Sequence, residues 1–242
     1  SAPGRYRCPL RWLLEVGTTM GAADVNLHAF LPPGTTGALS DAEELDRYAA
    51  NVAAFLAGSI PDDRFTAMRL QQGCYGQRQP GVHMVRCKAP GGRLDPDQLL
   101  ALADGLANWS QTDHVHVTTR QSVQFHYVPT ADTPALMRRL AEAGLTTREA
   151  CNNTVRNMTA CTLAGVCPRE HTDVSAHLDA AVHYFLRNPL NQQMPRKFKV
   201  SFSGCESDCA QGMLHDVGIV ATRNGDAPGF RMVAAGGLGH KP

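Results

Sequence analysis

Between about residues 80 and 150 the hydrophobic period switches repeatedly between that of a strand and that of a helix, and this order restricts the possible folds more than any other feature. "VHMVRCK" alternates like a strand. Asp95 and Pro96 form a helix start with Pro at the first position, and Leu99, Leu100, Leu102, Ala103 and Leu106 predict its buried stripe. "HVHVTT" and "VQFHYV" read as two strands joined by a tight turn at Arg120 to Ser122. Pro134 opens a second helix carrying Leu136 and Leu140, which stops at Gly144 before an extended stretch from Leu145 to Thr147. The order β-α-β-β-α-β predicts an α+β, ferredoxin-like sandwich.

Upstream, Ser40 and Glu43 have the spacing of a capping box, and Leu45, Tyr48, Ala49, Val52 and Leu56 recur at helical intervals until Gly58. A short helix is expected from Asp62 to Gln72, followed by the turn-rich "GCYGQRQPG". Residues 1–39 have no sustained period and receive no function. After residue 150 come a cysteine-bearing loop, a helix from about Ser175 to Arg187, and strand-like runs at "KFKVSFSG", "DVGIVAT" and "FRMVAAGG", which together suit a small α/β domain. The expected parts are therefore 1–59, 60–150 and 151–242, with no internal repeat.

A chain of 242 residues with 43% apolar side chains can bury a sizeable core. Its formal charge of +1 supplies no global field for nucleic acid or an anionic membrane. No apolar run reaches the roughly 18 residues of a membrane span, and no basic segment precedes an apolar one at the N-terminus, so a cytoplasmic protein is expected. The chain does not start with Met, so Ser1 need not be the natural first residue.

Eight cysteines are present, Cys8, Cys74, Cys87, Cys151, Cys161, Cys167, Cys205 and Cys209. Disulfides suit a chain of this size and without an export signal poorly. Cys161 and Cys167 are six positions apart, Cys205 and Cys209 four, and 38 positions separate the pairs. Four thiolates serve a cubane iron-sulfur cluster, one per iron. Zinc is the metal-based alternative, although zinc pairs usually sit closer in sequence, and ordinary buried cysteines are the other.

"NNTVRNMTACTLAGVCPRE" and "MPRKFKVSFSGCESDCAQGMLHDVGIVA" resemble the siroheme-dependent nitrite and sulfite reductases, over roughly residues 60–242. The resemblance implies a [4Fe-4S] cluster on Cys161, Cys167, Cys205 and Cys209, with Cys209 bridging to siroheme. It identifies the chain with the N-terminal half of such an enzyme, 60–150 being the ferredoxin-like half-domain and 151–242 the siroheme and cluster domain.

Lys197 and Lys199 in "PRKFK" are two apart, so on a strand both ammonium groups share a face. That pattern alone suits a solvated face; the resemblance makes both part of an oxyanion site, with Arg86 in "MVRCK" and Arg156 in "TVRNM". It likewise implies that Arg120, Gln124 and His126 in "TTRQSVQFH", and Asn157, meet siroheme and its carboxylates. His116 departs from the pattern, standing where the family often has arginine. "AAGGLG" lacks the ending of a phosphate loop, and His83, His171, His183 and His215 have no shared metal-like spacing.

The implied reaction is multi-electron reduction of sulfite to sulfide or nitrite to ammonia, with ferredoxin or a reductase subunit as electron donor. A whole enzyme of the family has two such halves, so a second half-domain or a homo-oligomer is an expected partner, and a fragment of a longer protein the favoured explanation. Two alternatives are a non-catalytic cluster-binding electron-transfer or scaffold half, and the ring-contracting monooxygenase of cobalamin synthesis, against which "RKFK" speaks.

Overall fold

Asp41, rather than Ser40, caps the first helix, α1 (Ala42–Leu56): its backbone is extended and its side chain accepts from the Glu44 N–H at 3.0 Å. Ser40 Oγ donates instead to the Ala141 carbonyl. The computed structural model describes residues 38–192, 194–225 and 227–237; Cys8, the remainder of 1–37 and the end of the glycine-rich tail lie outside the described residues. After α2 (Asp62–Gln71), the turn-rich segment contains a short strand, β1 (Cys74–Gly76), which pairs antiparallel with β2 (Val82–Lys88).

The next helix, α3 (Pro96–Trp109), begins with a reciprocal box in which Asp95 accepts from Gln98 N–H and Gln98 accepts from Asp95 N–H. Its buried face is Ala101, Leu102 and Gly105, whereas Leu99 and Leu100 are 53% and 60% exposed. The helix turns its small residues inward because it lies close to its neighbours. A Cβ on Gly105 would come within 2.7 Å of Leu136 Cδ1 and 3.1 Å of Phe125 Cε1.

Strands β3 (His116–Val117) and β4 (Ser122–Pro129) and helix α4 (Thr133–Glu142) complete this half, and the antiparallel sheet runs β1-β2-β4-β3. The expected last strand is reduced to one antiparallel bridge, Lys88 to Thr146, on the edge of β2 that β1 also occupies. Val85, Cys87, Val123 and Phe125 face a core filled by Leu136, Met137 and Leu140. Pleating therefore turns Arg86 and Gln124, which pair across β2 and β4, to the opposite face.

The second sheet runs β5 (Thr159–Ala160), β6 (Val200–Ser203), β7 (Val217–Asn224) and β8 (Ala227–Ala234). The first three are parallel and β8 folds back antiparallel on β7. Helix α5 (Ser175–Phe185) carries Leu178 and Val182 into a second core with Met158, Val200 and Phe202. "KFKVSFSG" is shorter as a strand than its pattern suggests: only Val200–Ser203 belong to β6, and Phe198 makes an isolated parallel bridge to Val155.

Polar groups join the two halves. Asn157 Nδ2 donates to the carbonyls of Ala89, Arg120 and Gln121 at 2.9–3.0 Å. Gln121 answers with both ends of its amide, donating to the Ala160 carbonyl and accepting from the Ala160 N–H. Met158 accepts from Gly91 N–H.

Because Leu140 is fully buried and Leu100 lies outside the stripe, Leu140→Ala is expected to lose about 2–5 kcal/mol in urea denaturation. Leu100→Ala should change stability by less than about 0.5 kcal/mol.

Candidate functional site

Parallel neighbours end on the same side, so β5 and β6 deliver their carboxyl ends together. Cys161 follows β5 directly, and its N–H donates to the Phe202 carbonyl of β6. Cys205 lies two residues beyond β6, and the intervening Gly204 N–H donates to Cys161 Sγ at 3.3 Å. Gly204 is closely packed: a Cβ there would lie 3.1 Å from Glu170 Cβ and from the Thr172 carbonyl, so these neighbours would have to give way slightly. His171 and Glu206 form an ion pair between the two cysteine loops.

Cys161 and Cys205 are buried, Cys167 is half-buried and Cys209 is exposed. Local desolvation raises the Cys209 thiol above its ordinary value, and the neighbouring thiols of Cys161, Cys205 and Cys167 add to that rise. Cys209 thus lies within electrostatic reach of the other three thiols. Cys74, Cys87 and Cys151 are different: burial pushes each up to about 12, as for inert core thiols.

Among the described residues no three or more His, Cys, Asp or Glu side chains close around a single metal ion. Zinc holds sulfur at about 2.3 Å and so draws its ligands together, while a cubane takes one thiolate at each iron and spreads them. The set of four thiols has the chemistry and number that a cubane takes, one per iron. A cavity of about 610 Å³ adjoins it, with Gly91, Thr118, Gln121, Cys161, Cys209 and His215 in its wall.

Arg86 and Arg156 meet on one oxygen. The Ala150 carbonyl accepts from Arg86 Nη1 at 3.3 Å and from Arg156 Nε and Nη2 at 3.0 and 2.6 Å. Neither guanidinium pairs with a carboxylate among the described residues. Gln124 is committed to Arg86, accepting from its Nε at 2.8 Å, and the Arg86 guanidinium lies 5.4 Å from the Tyr75 ring centre. The bridge between Val155 and Phe198 sets Lys199 beside Arg156; Lys199 is half-buried and Lys197 exposed.

Arg120 donates through Nη2 to the Asn157 carbonyl, while its Nε is buried without a partner. Burial, and then the charge of Arg156, lower it to about 10. His126 Nε2 is likewise buried and unpartnered. Its ring lies 4.6 Å from that of His116, which stacks on His114 at 5.1 Å. Burial lowers the His126 pKa first, followed by His116, His114 and Arg86. Asn157 uses its amide nitrogen on the seam and leaves Oδ1 buried and unpartnered.

Cys161 and Cys209 open onto this cavity, whereas Arg86, Arg120, Gln124, His126, Arg156, Asn157, Lys197 and Lys199 are not in its wall. Sequence reasoning missed Tyr75, Gln121 and the Ala150 carbonyl. Ala150 acts through its backbone, which no residue type advertises, and Gln121 and Tyr75 acquire their roles only through pairing.

Two family models match: the nitrite and sulphite reductase 4Fe-4S domain over residues 151–242, and the nitrite/sulfite reductase ferredoxin-like half domain over 75–143. The chain belongs to the nitrite and sulfite reductase family. Within the family it is 32% identical over 202 residues to an assimilatory ferredoxin-dependent nitrite reductase of Haloferax mediterranei, covering 76% of this chain and 34% of that one. It is 28% identical over 160 residues to a sulfite reductase [ferredoxin] of Mycobacterium tuberculosis, covering 66% and 28%. The fold matches the solved Mycobacterium tuberculosis NirA protein with a TM-score of 0.70 at 24% identity, over 85% of this chain and 42% of that one. The chain spans about a third of the length of the sequence relatives it matches. No helix among the described residues is long and apolar enough to cross a membrane.

Asn157→Ala strips a buried donor from three carbonyls of the seam. The expected loss is about 1–3 kcal/mol in chemical denaturation. An unchanged midpoint would show that the seam contributes nothing.

Proposed function

We propose that the protein takes part in reducing sulfite to sulfide or nitrite to ammonia at a siroheme coupled to a [4Fe-4S] cluster. The observation that carries this reading is the meeting of Arg86 and Arg156 on a neutral carbonyl with no carboxylate among the described residues to balance them. Two unit charges roughly 5 Å apart repel by about 3 kcal/mol at an effective dielectric of ~20, so such a pair suits a site that receives an anion.

Cys161, Cys167, Cys205 and Cys209 would hold the cluster, and Cys209, the most exposed, would be its link to siroheme. Arg120, Gln124, His126 and Asn157 would border the siroheme, with Gln124 and Asn157 acting chiefly by holding Arg86 and the seam. When bound, siroheme supplies an iron for the sulfur or nitrogen of the substrate, and the cluster supplies electrons singly. The chain's own residues do the rest. Arg86 and Arg156 offer the planar forks that donate paired hydrogen bonds to oxyanion oxygens. Lys197 and Lys199 offer Nζ protons to each oxygen that leaves as water. Relatives whose names specify ferredoxin support a ferredoxin as electron donor. A second half-domain or a second copy would complete the cofactor site.

Anaerobically purified protein is expected to contain about four irons and four sulfides per cluster. Cys161→Ser or Cys205→Ser should abolish both, and stoichiometric zinc without sulfide would overturn the assignment.

In the active assembly, Lys197→Met or Lys199→Met is expected to lower turnover by about 100- to 10,000-fold while iron and sulfide stay unchanged. Normal turnover in both variants would return these lysines to a solvated face.

A further inference from the structure

Lys88 is the one lysine buried in the first sheet, and it lies two residues from Arg86 on the same side of β2. Its Nζ has a single charged partner, Glu149 Oε2, at 3.8 Å, and both side chains are nearly inaccessible. Glu149 immediately precedes Ala150, whose carbonyl gathers the two arginines. Lys88 and Arg156 also line one small cavity, of about 10 Å³, together with Val155, Met158 and Val182. That is close to the space of one water.

The turn between them is shaped by the chain and does not relax freely. Glu149 and Asn152 both adopt left-handed backbone, with φ of 57° and 71°, conformations that persist in such residues only when their surroundings fix them. Glu149 is fixed by hydrogen bonds from the Arg187 N–H and Gln192 Nε2 to Oε1. Oε2 faces Lys88 and, at 3.5 Å, Asn191 Nδ2. Arg148 Nε already lies 3.7 Å from Oε1, but Oε2 meets no guanidinium among the described residues and would otherwise be open to one.

We propose that Lys88 is a positioning residue of the anion site: its ammonium satisfies the charge of Glu149 from within, leaving Arg86 and Arg156 gathered on the Ala150 carbonyl and available to an external anion. Lys88 has this role only if the two arginines receive an oxyanion, as proposed above. The charged groups that act on Lys88 are Glu149, Arg156, Arg187 and Arg148. Burial is the largest influence and lowers Lys88 to about 8, with Glu149 opposing that fall. The ammonium is therefore nearly complete about one pH unit below 8 and is lost as the pH rises through 8.

Sulfate serves as a redox-inert probe whose charge is constant over this range, titrated calorimetrically into the full-length holoenzyme. Lys88→Met is expected to weaken sulfate binding roughly 3- to 30-fold, the span of coupling between neighbouring charged groups. Lys88→Arg should retain affinity. Adding Glu149→Gln to Lys88→Met should restore it, because no carboxylate is left to draw Arg156 inward; a merely structural lysine predicts further loss. Unaltered protein should bind more weakly as the pH passes about 8, and Lys88→Arg should not. Should Lys88→Met fail to fold, the Lys88→Arg comparison across that pH range decides alone. Unchanged affinity in Lys88→Met, or equal pH dependence in the unaltered and Lys88→Arg proteins, would overturn the role of Lys88. Sulfate binding that survives Arg86→Met and Arg156→Met, or is absent from unaltered protein, would instead remove the anion site itself.

Discussion

The site depends on a seam of hydrogen bonds in which side chains of one half complete the backbone of the other. Strand β5 has only two residues and pairs with β6 on one side; on the other, the Gln121 amide supplies a donor and an acceptor to Ala160, as a neighbouring strand would. Backbone groups at a buried edge need such partners. Asn157 holds the turn that carries Gln121 by its own carbonyl and its neighbour's. Cysteines that end β5 and β6 and arginines that belong to β2 and the 150–156 segment therefore share one frame.

Charge is sorted around that frame. Glu44 is engaged by Arg148 and Arg187, at 2.6 and 2.8 Å, and Glu149 is surrounded by Lys88, Arg187 and Gln192. Buried pairs of this kind are weak contributors to stability, because desolvation cancels most of their attraction. Their effect here is allocation: carboxylates are consumed on one side, and among the described residues Arg86, Arg120 and Arg156 form no ion pair on the other. A formal charge of +1 for the whole chain conceals this separation completely.

Much of the fold was legible because periodicity reports burial directly. The α3 start at Asp95, the α4 stop at Gly144 and the β7 and β8 runs lie close to where residue pattern places them. Where pattern failed, close approach or edge position had won. Leu99 and Leu100 of α3 gave way to Ala101 and Gly105 because Phe125 and Leu136 leave little room, and β1 and β5 are too short to carry a period. Spacing brought out the cysteine pairs, and the resemblance Arg86 and Arg156. The carbonyl on which those arginines meet has no sequence signature, since it depends on two left-handed residues flanking Ala150 and Cys151.

The loop from Cys205 to Cys209 is held by its own polar contacts. Asp208, with φ of 47°, accepts from Ser203 Oγ at 2.7 Å and from the Gly212 N–H at 2.9 Å, and Ser203 Oγ accepts in turn from Ala210 N–H. Small zinc domains fold only when metal arrives, because nothing else orders their ligands. Here protein hydrogen bonds brace the thiol-bearing loop, so its shape does not rest on the thiols alone.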